Sequence, residues 1–391
     1  MDVRIIDDEA GFASMSSEWN TLLEAARRGG PFLRHEWLLA WWRAFGREDD
    51  RLMLFTCRDA STGELIGVLP CYETSAGVVA HARVVRLLGD GHVGSTGLGA
   101  FMHPSREQEA AERLVEELAA QRTRHDVFDL RLIDTGSPFF DLACEMGGRS
   151  ARVSLDCHVS ARIDLPATWA LYLAEKAGKR PRRAAGHGRR QLEKAGATVE
   201  MVREACELAA AIEDMLRLWE VRMKDVVGPR FCASPECRAF FSEVLGSLLS
   251  QGRLRLRFMV IDGDRIAVDL AFRYRDTTNA VLTGFDPQWS RLSVSNVLCT
   301  YVVEGAIDEG CAALDLGLGA QPYKLEWGAS DLARFSDVRV YARTTAARMR
   351  RTADASVSAG ARAIEALPAS FRPPLRSAGK SIRTLAKGLR G

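Results

Sequence analysis

Residues 254–287 read LRLRFMVIDGDRIAVDLAFRYRDTTNAVLTGFDP, and this stretch decides the fold of the chain. Alternation of apolar and polar residues around the Asp262-Gly263 turn predicts an antiparallel meander, followed by a helix and one more strand. The predicted elements are strands Leu254 to Ile261, Arg265 to Arg275 and Asn279 to Gly284, a helix near Ser293 to Gly310, and strand Ala313 to Leu318.

The two helices predicted before this meander have counterparts in the first half of the chain. Helices Cys206 to Val227 and Pro235 to Ser250 correspond to helices near Ser16 to Ala26 and His35 to Phe45. The first half continues with strands Leu52 to Cys57, Leu65 to Cys71 and Ala82 to Leu88, helix Ser105 to Arg122 and strand Val127 to Ile133. The repeated order predicts tandem copies of one α+β unit, although similar hairpin turns also arise by chance.

Composition places the chain among globular proteins of about two domains. It has 391 residues, of which 47% are hydrophobic and 27% are charged. No apolar run is long enough to span a membrane, and the acidic N-terminus is unlike a secretory signal, so we expect a cytoplasmic protein. The nine cysteines are scattered without a CxxC pair, which favours reduced packing thiols and predicts no metal site.

Charge is divided unevenly between the body and the C-terminal tail. The whole chain has a net charge of +2, whereas the residues from Arg343 onward hold 11 Lys and Arg against 2 Asp and Glu. Residues 377–391 have the spacing of a short basic amphipathic helix that could rest on an anionic lipid surface. A disordered soluble tail is the alternative interpretation.

Several segments of the second half could carry chemistry. Asp269 lies between Ala267 and Ala271 on one face of its strand, and these small neighbours leave space above the carboxylate; an ordinary solvated face would look the same. The helix after Thr283 to Trp289 begins near Ser293, Ser295 and Asn296, which could cap it or hold phosphate oxygens.

Two further segments are basic or glycine-rich. The run Lys176 to Lys194 is either a solvated basic helix or a phosphate-binding flank of the cleft between the halves. Asp315 to Gly328 is a strand end followed by a Gly-rich loop and the pair Tyr323-Lys324, and loops at strand ends often carry function. The sequence GDGHVG at residues 89–94 fits GxGxxG, but it runs into a flexible loop where a dinucleotide site needs a helix.

Taken in order, these segments resemble the CelD/BcsL-type acetyltransferases of the GNAT superfamily, relatives of the FemAB peptidyl transferases. The matching pieces are Pro31-Phe32-Leu33 with Glu36-Trp37, Gly67 to Pro70, the basic run 179–196, Trp219 with Arg222, Ile266-Ala267, Gly284-Phe285-Asp286-Pro287, and Tyr323-Lys324 with Trp327. The sequence departs from the pattern at Val294-Ser295, where relatives tend to have Pro-Gly, and it lacks the usual GNAT pyrophosphate loop.

The resemblance implies an α+β fold of two tandem GNAT-like domains, each a mostly antiparallel sheet flanked by helices. The expected division is a degenerate domain at residues 1–165, an acyltransferase domain at 166–342 and a basic tail at 343–391. Acetyl-CoA or a longer acyl-CoA would be the co-substrate, and no metal would be needed.

Site residues follow from the resemblance and from the chemistry of acyl transfer, in which an amine must lose a proton before attacking a thioester. We expect Asp269 to act as the base or to orient the amine, with Lys324 and Tyr323 contacting an anionic group or assisting the developing charge. Ser293, Ser295 and Asn296 are the candidates for CoA contacts. The candidates for substrate contacts are Trp219, Arg222, Asp286 and Trp327.

The expected function is N-acylation of an amine on a cell-envelope or exopolysaccharide precursor. Alternatives are long-chain acylation of a membrane lipid amine such as a sphingoid base, aminoacyl-tRNA-dependent transfer of the FemAB type, and a non-catalytic binding protein. Peripheral contact with the inner membrane face through residues 377–391 fits the second, and nucleic acid is not the expected partner.

Overall fold

The computed structural model describes residues 1–76, 81–146, 152–227 and 234–366. The tail segment 377–391, and with it the predicted membrane contact, lies outside this part of the chain. The strands are β1 Asp2–Ile6, β2 Arg51–Arg58, β3 Leu65–Ala76, β4 Ala82–Leu87, β5 Phe101–Met102, β6 Val127–Asp134, β7 Arg152–Asp164, β8 Thr198–Met201, β9 Leu254–Ile261, β10 Asp264–Tyr274, β11 Thr277–Phe285, β12 Ala313–Leu318 and β13 Asp331–Tyr341.

Helices cover both faces of the strands. They are α1 Glu9–Ser14, α2 Ser16–Ala25, α3 His35–Phe45, α4 Glu107–Ala120, α5 Pro138–Glu145, α6 Trp169–Leu171, α7 Lys179–Arg183, α8 Arg189–Lys194, α9 Ala205–Val227, α10 Pro235–Ser250, α11 Val294–Asp308, α12 Pro322–Glu326 and α13 Thr345–Ala366. Single turns of 3₁₀ helix at Pro31–Leu33 and Pro287–Leu292, and π-helical turns at Tyr172–Lys176 and Ala184–Gly188, complete the connections used below.

All thirteen strands belong to one mixed sheet, with the order β1-β2-β3-β4-β6-β13-β7-β12-β11-β10-β9-β8 and β5 paired to β3. The arrangement of strands is the same from either end of the sheet. Strands β1, β2, β3, β4 and β6 of the first half correspond to β8, β9, β10, β11 and β12 of the second half. Each copy contains one parallel pair, β4 with β6 and β11 with β12. The predicted α+β fold built from two copies of one unit is therefore confirmed.

The last strand of each copy is exchanged between the halves, which the sequence analysis did not predict. Strand β7 ends the first copy but pairs with β12 of the second, and β13 ends the second copy but pairs with β6 of the first. The two exchanged strands also pair with each other, from Asp331 opposite Arg162 to Tyr341 opposite Arg152. The domain boundary at residue 165 stays a prediction, since packing joins the halves across it.

Helix α9 packs directly on strand β11 at Gly284. A Cβ atom at this position would lie 2.6 Å from the carbonyl carbon and oxygen of Leu218. Two main chains meet here, so the helix can approach the sheet only because position 284 has no side chain. The Gly in the family-like segment Gly284-Phe285-Asp286-Pro287 is thus a packing requirement.

We expect Gly284→Ala to lower the free energy of unfolding by about 1–3 kcal/mol, the cost of overpacking a rigid contact. Gly246→Ala is the matched control, because its Cβ would meet only Leu208 Cδ2 at 3.9 Å in the interior of α10. There Ala should be neutral or stabilising by about 0.5–1 kcal/mol. Urea unfolding of both variants measures the difference, and equal stabilities would contradict the packing argument.

Candidate active site

Strands β11 and β12 pair for only three residues, from Thr277 opposite Ala313 to Asn279 opposite Asp315. Beyond this point both strands continue without pairing to each other, and β12 is irregular between Asp315 and Leu318. A cavity of about 430 Å³ lies in the gap and is lined from both faces of the sheet. We call this cavity the sheet passage.

Two other cavities adjoin the sheet passage. A basic pocket of about 560 Å³ lies at the N-terminal end of α11, and it shares Asn296 with the passage. A cleft of about 960 Å³ lies between the two halves, and we call it the inter-half cleft. It shares Phe32, Thr96, Asn279 and Asp315 with the passage. The sheet passage therefore has the basic pocket at one end and the inter-half cleft at the other, each joined to it by shared lining residues.

Asp269 lies in the wall of the sheet passage. Its side chain is 4% exposed, and both faces of β10 are covered, so the alternative of a solvated strand face is wrong. Burial raises the pKa of Asp269 to about 7, against the attraction of the Arg257 and Arg222 guanidiniums. Its Oδ1 atom has no hydrogen-bond partner among the described residues. A carboxyl group in this state exchanges a proton near neutral pH.

Arg257 is the cation that faces Asp269 across the β9–β10 ladder, and sequence reasoning missed it. It is buried, which lowers its pKa, and its closest ion-pair contact is a distance of 3.8 Å from Nη2 to Glu309 Oε1. One guanidinium nitrogen has no hydrogen-bond partner within the described part of the chain. Arg257 therefore compensates the negative charge of Asp269 only in part. The only sequence signal for Arg257 was the presence of an arginine inside an apolar strand.

Lys324 is buried at the other side of the passage, on the short helix α12. Its Nζ donates to the carbonyl oxygens of Gly317 at 2.7 Å and Leu318 at 2.8 Å, and so it ties α12 to the end of β12. Burial lowers the pKa of Lys324 to about 8, opposed by the charge of Asp315. Its neighbour Tyr323 is 41% exposed and also lines the passage, and burial raises the pKa of its phenol.

The three residues predicted to contact CoA lie at the start of α11. Ser293 has φ 54° and ψ 37°, and its side chain does not cap the helix. It lines the basic pocket, Ser295 lines the sheet passage, and Asn296 lines both. Cys299, one turn further on and not predicted, also lines the passage, where burial raises its pKa.

Three of the four residues predicted to contact the substrate lie together in the sheet passage. Trp219, Arg222 and Trp327 line the sheet passage, whereas Asp286 does not: its side chain accepts from the Gln288 amide and caps the 3₁₀ turn. Arg222 is held by the main-chain oxygen and hydroxyl of Thr283, and Trp327 packs in a buried cluster with Tyr172. Asp286 therefore has a structural role that explains its place in the motif.

The basic run 176–194 lies beside α11 and not at the inter-half cleft. Lys179, Arg180, Arg183 and His187 line the basic pocket together with Arg291. Arg189 does not join them, because it stacks on Tyr301 at 3.9 Å and pairs with Glu304 at 2.7 Å. In the part of the chain that the structure describes, the side chains of Lys179, Arg183 and Arg291 form no hydrogen bond or ion pair. The pocket combines three uncompensated cations with a helix N-terminus, which suits an anion.

The first half completes the wall of the sheet passage with Phe32, Gly94 and Thr96. Gly94 and Thr96 belong to the loop that carries the GxGxxG pattern. The same loop also fills the gap between β4 and β6 in the first half. Leu98 forms a parallel bridge with Ile133 there, and its amide donates to Leu132 O at 3.1 Å. The glycine-rich loop thus closes one gap and borders the other.

Comparison with known proteins finds one similar domain family and several similar folds. Residues 179–325 match the model of the acetyltransferase (GNAT) domain. No curated protein sequence matches the chain significantly. Similar solved structures include FemX, with a TM-score of 0.57 and 10% identity over 86% of this chain and 97% of FemX.

Two other similar structures come from named bacteria. One is a conserved protein of unknown function from Bacteroides thetaiotaomicron, with a TM-score of 0.54 and 11% identity over 87% of this chain and 100% of that one. The other is the C-terminal domain of a putative lysylphosphatidylglycerol synthetase from Agrobacterium fabrum, with a TM-score of 0.52 and 12% identity over 90% and 97%. At these identities the likeness shows the fold alone.

The match over residues 179–325 supports the prediction of a GNAT acetyltransferase domain in the second half, and such domains in general use acyl-CoA as co-substrate. The narrower CelD/BcsL assignment stays a prediction. None of the described helices has the length and apolar character needed to cross a membrane.

Proposed function

We propose that this chain, through the GNAT domain at residues 179–325, transfers an acyl group from coenzyme A to an amine of a cell-envelope or exopolysaccharide precursor. One observation carries the proposal: the sheet passage adjoins a basic pocket at one end and a cleft at the other, and an incompletely paired carboxyl group lies in its wall. The two ends allow two substrates to approach a common point from opposite sides.

The basic pocket suits the phosphates of coenzyme A. The start of α11 lines it through Ser293 and Asn296, and a helix N-terminus attracts negative charge. Lys179, Arg183 and Arg291 add cations that no described side chain neutralises. These residues take over the part that the missing pyrophosphate loop would have played. The pantetheine arm would then run into the sheet passage beside Asn296 and Ser295.

The chemistry requires one proton to leave the amine and one to reach the thiolate. With its pKa near 7, Asp269 can take a proton from the attacking nitrogen. The N–C bond forms, the C–S bond breaks, and Tyr323 can supply a proton to the departing coenzyme A sulfur. Lys324 places a positive charge close to Gly317 and Leu318, where it can stabilise negative charge that develops on the thioester oxygen.

The choice of acceptor rests on the family resemblance. The decisive experiment is mass spectrometry of products after incubating the full chain with acetyl-CoA or palmitoyl-CoA and a panel of amines. The panel contains amino sugars, nucleotide-linked amino sugars and sphingosine. Acylated amino sugars support the proposal; acylated sphingosine with palmitoyl-CoA alone would replace it with lipid acylation.

Donor binding is tested separately by isothermal titration with acetyl-CoA and palmitoyl-CoA. If neither binds, acyl-CoA-dependent transfer is excluded, and transfer from aminoacyl-tRNA or a non-catalytic binding role takes its place. The same titration with lysyl-tRNA and alanyl-tRNA then separates those two.

We expect Arg183→Ala and Arg291→Ala each to weaken coenzyme A binding about 5- to 30-fold, since a charge-assisted contact to phosphate contributes about 1–2 kcal/mol. Binding should also weaken with added salt, because the pocket is open to solvent. Arg190→Ala is the control: Arg190 belongs to the same basic run but does not line the pocket. Equal affinities for the three variants would contradict the placement of the phosphates.

A further inference from the structure

Each half of the sheet carries an aspartate at the same position, where its parallel strand pair ends. In the first half Arg86 lies opposite Asp129, and in the second half Asn279 lies opposite Asp315. The exchanged strands extend the correspondence, because β13 places Arg339 opposite Asp129 and β7 places Arg162 opposite Asp315. The two aspartates can therefore be compared within one molecule.

Asp129 is surrounded by three arginines. Arg131 Nε lies 3.1 Å from both of its carboxylate oxygens, Arg339 Nε donates at 2.8 Å, and Arg86 Nε lies at 3.9 Å. Burial alone would raise the pKa of Asp129, but these guanidiniums hold it well below its usual range. The first half thus shows that a carboxylate at this position of the fold collects cations.

The three cations are missing around Asp315. Gly317 stands where Arg131 stands in the first half, and Asn279 replaces Arg86 and donates to main-chain oxygens of its own hairpin. Arg162, the counterpart of Arg339, has its ion-pair contact with Asp164 at 3.7 Å and none with Asp315 within 4 Å. Asp315 has kept the carboxylate while its cationic partners have been lost or turned away.

Hydrogen bonds hold the carboxylate of Asp315 in place but occupy only one of its two oxygens. Its Oδ1 accepts from Ser160 Oγ at 2.8 Å and from the Gly317 amide at 2.7 Å, and its Oδ2 has no hydrogen-bond partner among the described residues. The charge of Lys324 attracts it, but Lys324 Nζ is bonded to the carbonyls of Gly317 and Leu318. Asp315 lines both the sheet passage and the inter-half cleft.

We propose that Asp315 is an ammonium-binding site: the protonated amine of the acceptor enters through the inter-half cleft and pairs with this carboxylate in the place that Arg131, Arg86 and Arg339 occupy around Asp129. The inference rests on the proposed function, and it names the acceptor class as a primary amine that arrives charged. The bound ammonium then faces the passage, where it gives one proton to Asp269 before the neutral nitrogen attacks. A second proton leaves the nitrogen as the C–S bond breaks and replaces the proton that Tyr323 gives to the coenzyme A sulfur.

The inference is tested by binding, without turnover. The probe is 4-fluorobenzylamine, a small primary ammonium at pH 7, and its uncharged analogue is 4-fluorobenzyl alcohol; ¹⁹F NMR titrations follow both with the full chain. We expect the wild-type protein to bind the amine at least 10-fold more tightly than the alcohol. Asp315→Asn, which keeps the Oδ1 acceptor for Ser160 and Gly317, should abolish that preference and leave alcohol binding unchanged.

Asp308→Asn is the charge-matched control, because Asp308 is exposed at the far end of α11. It should bind the amine as the wild type does. Asn279→Arg is the second variant: it restores the arginine of the first half, so its own guanidinium should occupy Asp315 and exclude the amine. Coenzyme A affinity should stay the same in all variants. Amine preference that persists in Asp315→Asn, or no preference in the wild type, would overturn the inference while leaving the donor experiment intact.

Discussion

Asp269→Asn should lower kcat about 100- to 10,000-fold, the usual loss when a general base is removed. The amide keeps the shape of the carboxyl group but cannot take a proton, so binding of coenzyme A should not change. Asp264→Asn is the matched control, since Asp264 is exposed at the start of the same strand. Full activity in the Asp269→Asn protein would remove this residue from the mechanism.

The pH dependence of the wild type should reflect the same group. Asp269 must be ionised to accept a proton, and its pKa is about 7, so kcat should fall as the pH drops below about 7. In Asp269→Asn the residual activity should lack this acidic limb. A limb that persists in the variant would belong to a different base.

Ionised Asp269 should also lower the free energy of unfolding at the pH at which the enzyme is active. Its pKa in the folded protein is about 7, above the ordinary aspartate value of 3.8, so the folded state holds the proton more tightly than the unfolded chain. The resulting stability is fully present below about pH 4 and is lost as the pH rises through about 7. At pH 8 Asp269→Asn should therefore be more stable than the wild type, by on the order of 2–4 kcal/mol. Thermal unfolding at pH 5 and 8 measures this, and an equal change at both pH values would contradict it.

Lys324→Met should lower kcat about 100- to 1,000-fold, the typical effect of losing a preorganised charge beside a reacting carbonyl. Because burial lowers the pKa of Lys324 to about 8, the wild type should lose activity above about pH 8 as this charge disappears. Lys324→Met should show no such alkaline limb. Lys194→Met, at an exposed position of the basic run, is the control.

The same substitution should destabilise the Gly-rich loop. The carbonyls of Gly317 and Leu318 lose their donor, which costs about 1–3 kcal/mol if they stay buried. A purely structural role for Lys324 would lower stability and kcat while leaving the alkaline limb in place. The pH profile therefore separates a role in charge stabilisation from a role in loop anchoring.

Much of the second half could be predicted from local patterns. Helix Pro235–Ser250 and strands Leu254–Ile261 and Ala313–Leu318 have the bounds that periodicity and turn residues predict. The small neighbours of Asp269 correctly indicated space beside the carboxylate, because side chains on one strand face are two residues apart. Its opposite residue, Arg257, could not be predicted, since pairing across a ladder depends on register.

A family-like motif does not distinguish residues that bind substrate from residues that hold the fold. Asp286 and Gly284 belong to the same family-like segment, residues 284–287, yet Asp286 caps a turn and Gly284 makes room for α9. Conversely, Asp315 looked like an ordinary residue at a strand end. Segments 128–132 and 314–318 are similar in sequence, so the equivalence of Asp129 and Asp315 is visible before folding. The different partners of the two carboxylates appear only once the sheet is assembled.

Local sequence patterns account for the helices and strands, the repeated order of the two halves and the family-like segments, because periodicity, turns and caps act over a few residues. The exchange of β7 and β13, the passage between β11 and β12 and the environment of the two aspartates depend on the assembled sheet. Those features join residues distant in the chain, such as Ser160 and Asp315, which are 155 positions apart. Such contacts form only when burial of the whole sheet compensates for the entropy of bringing distant segments together.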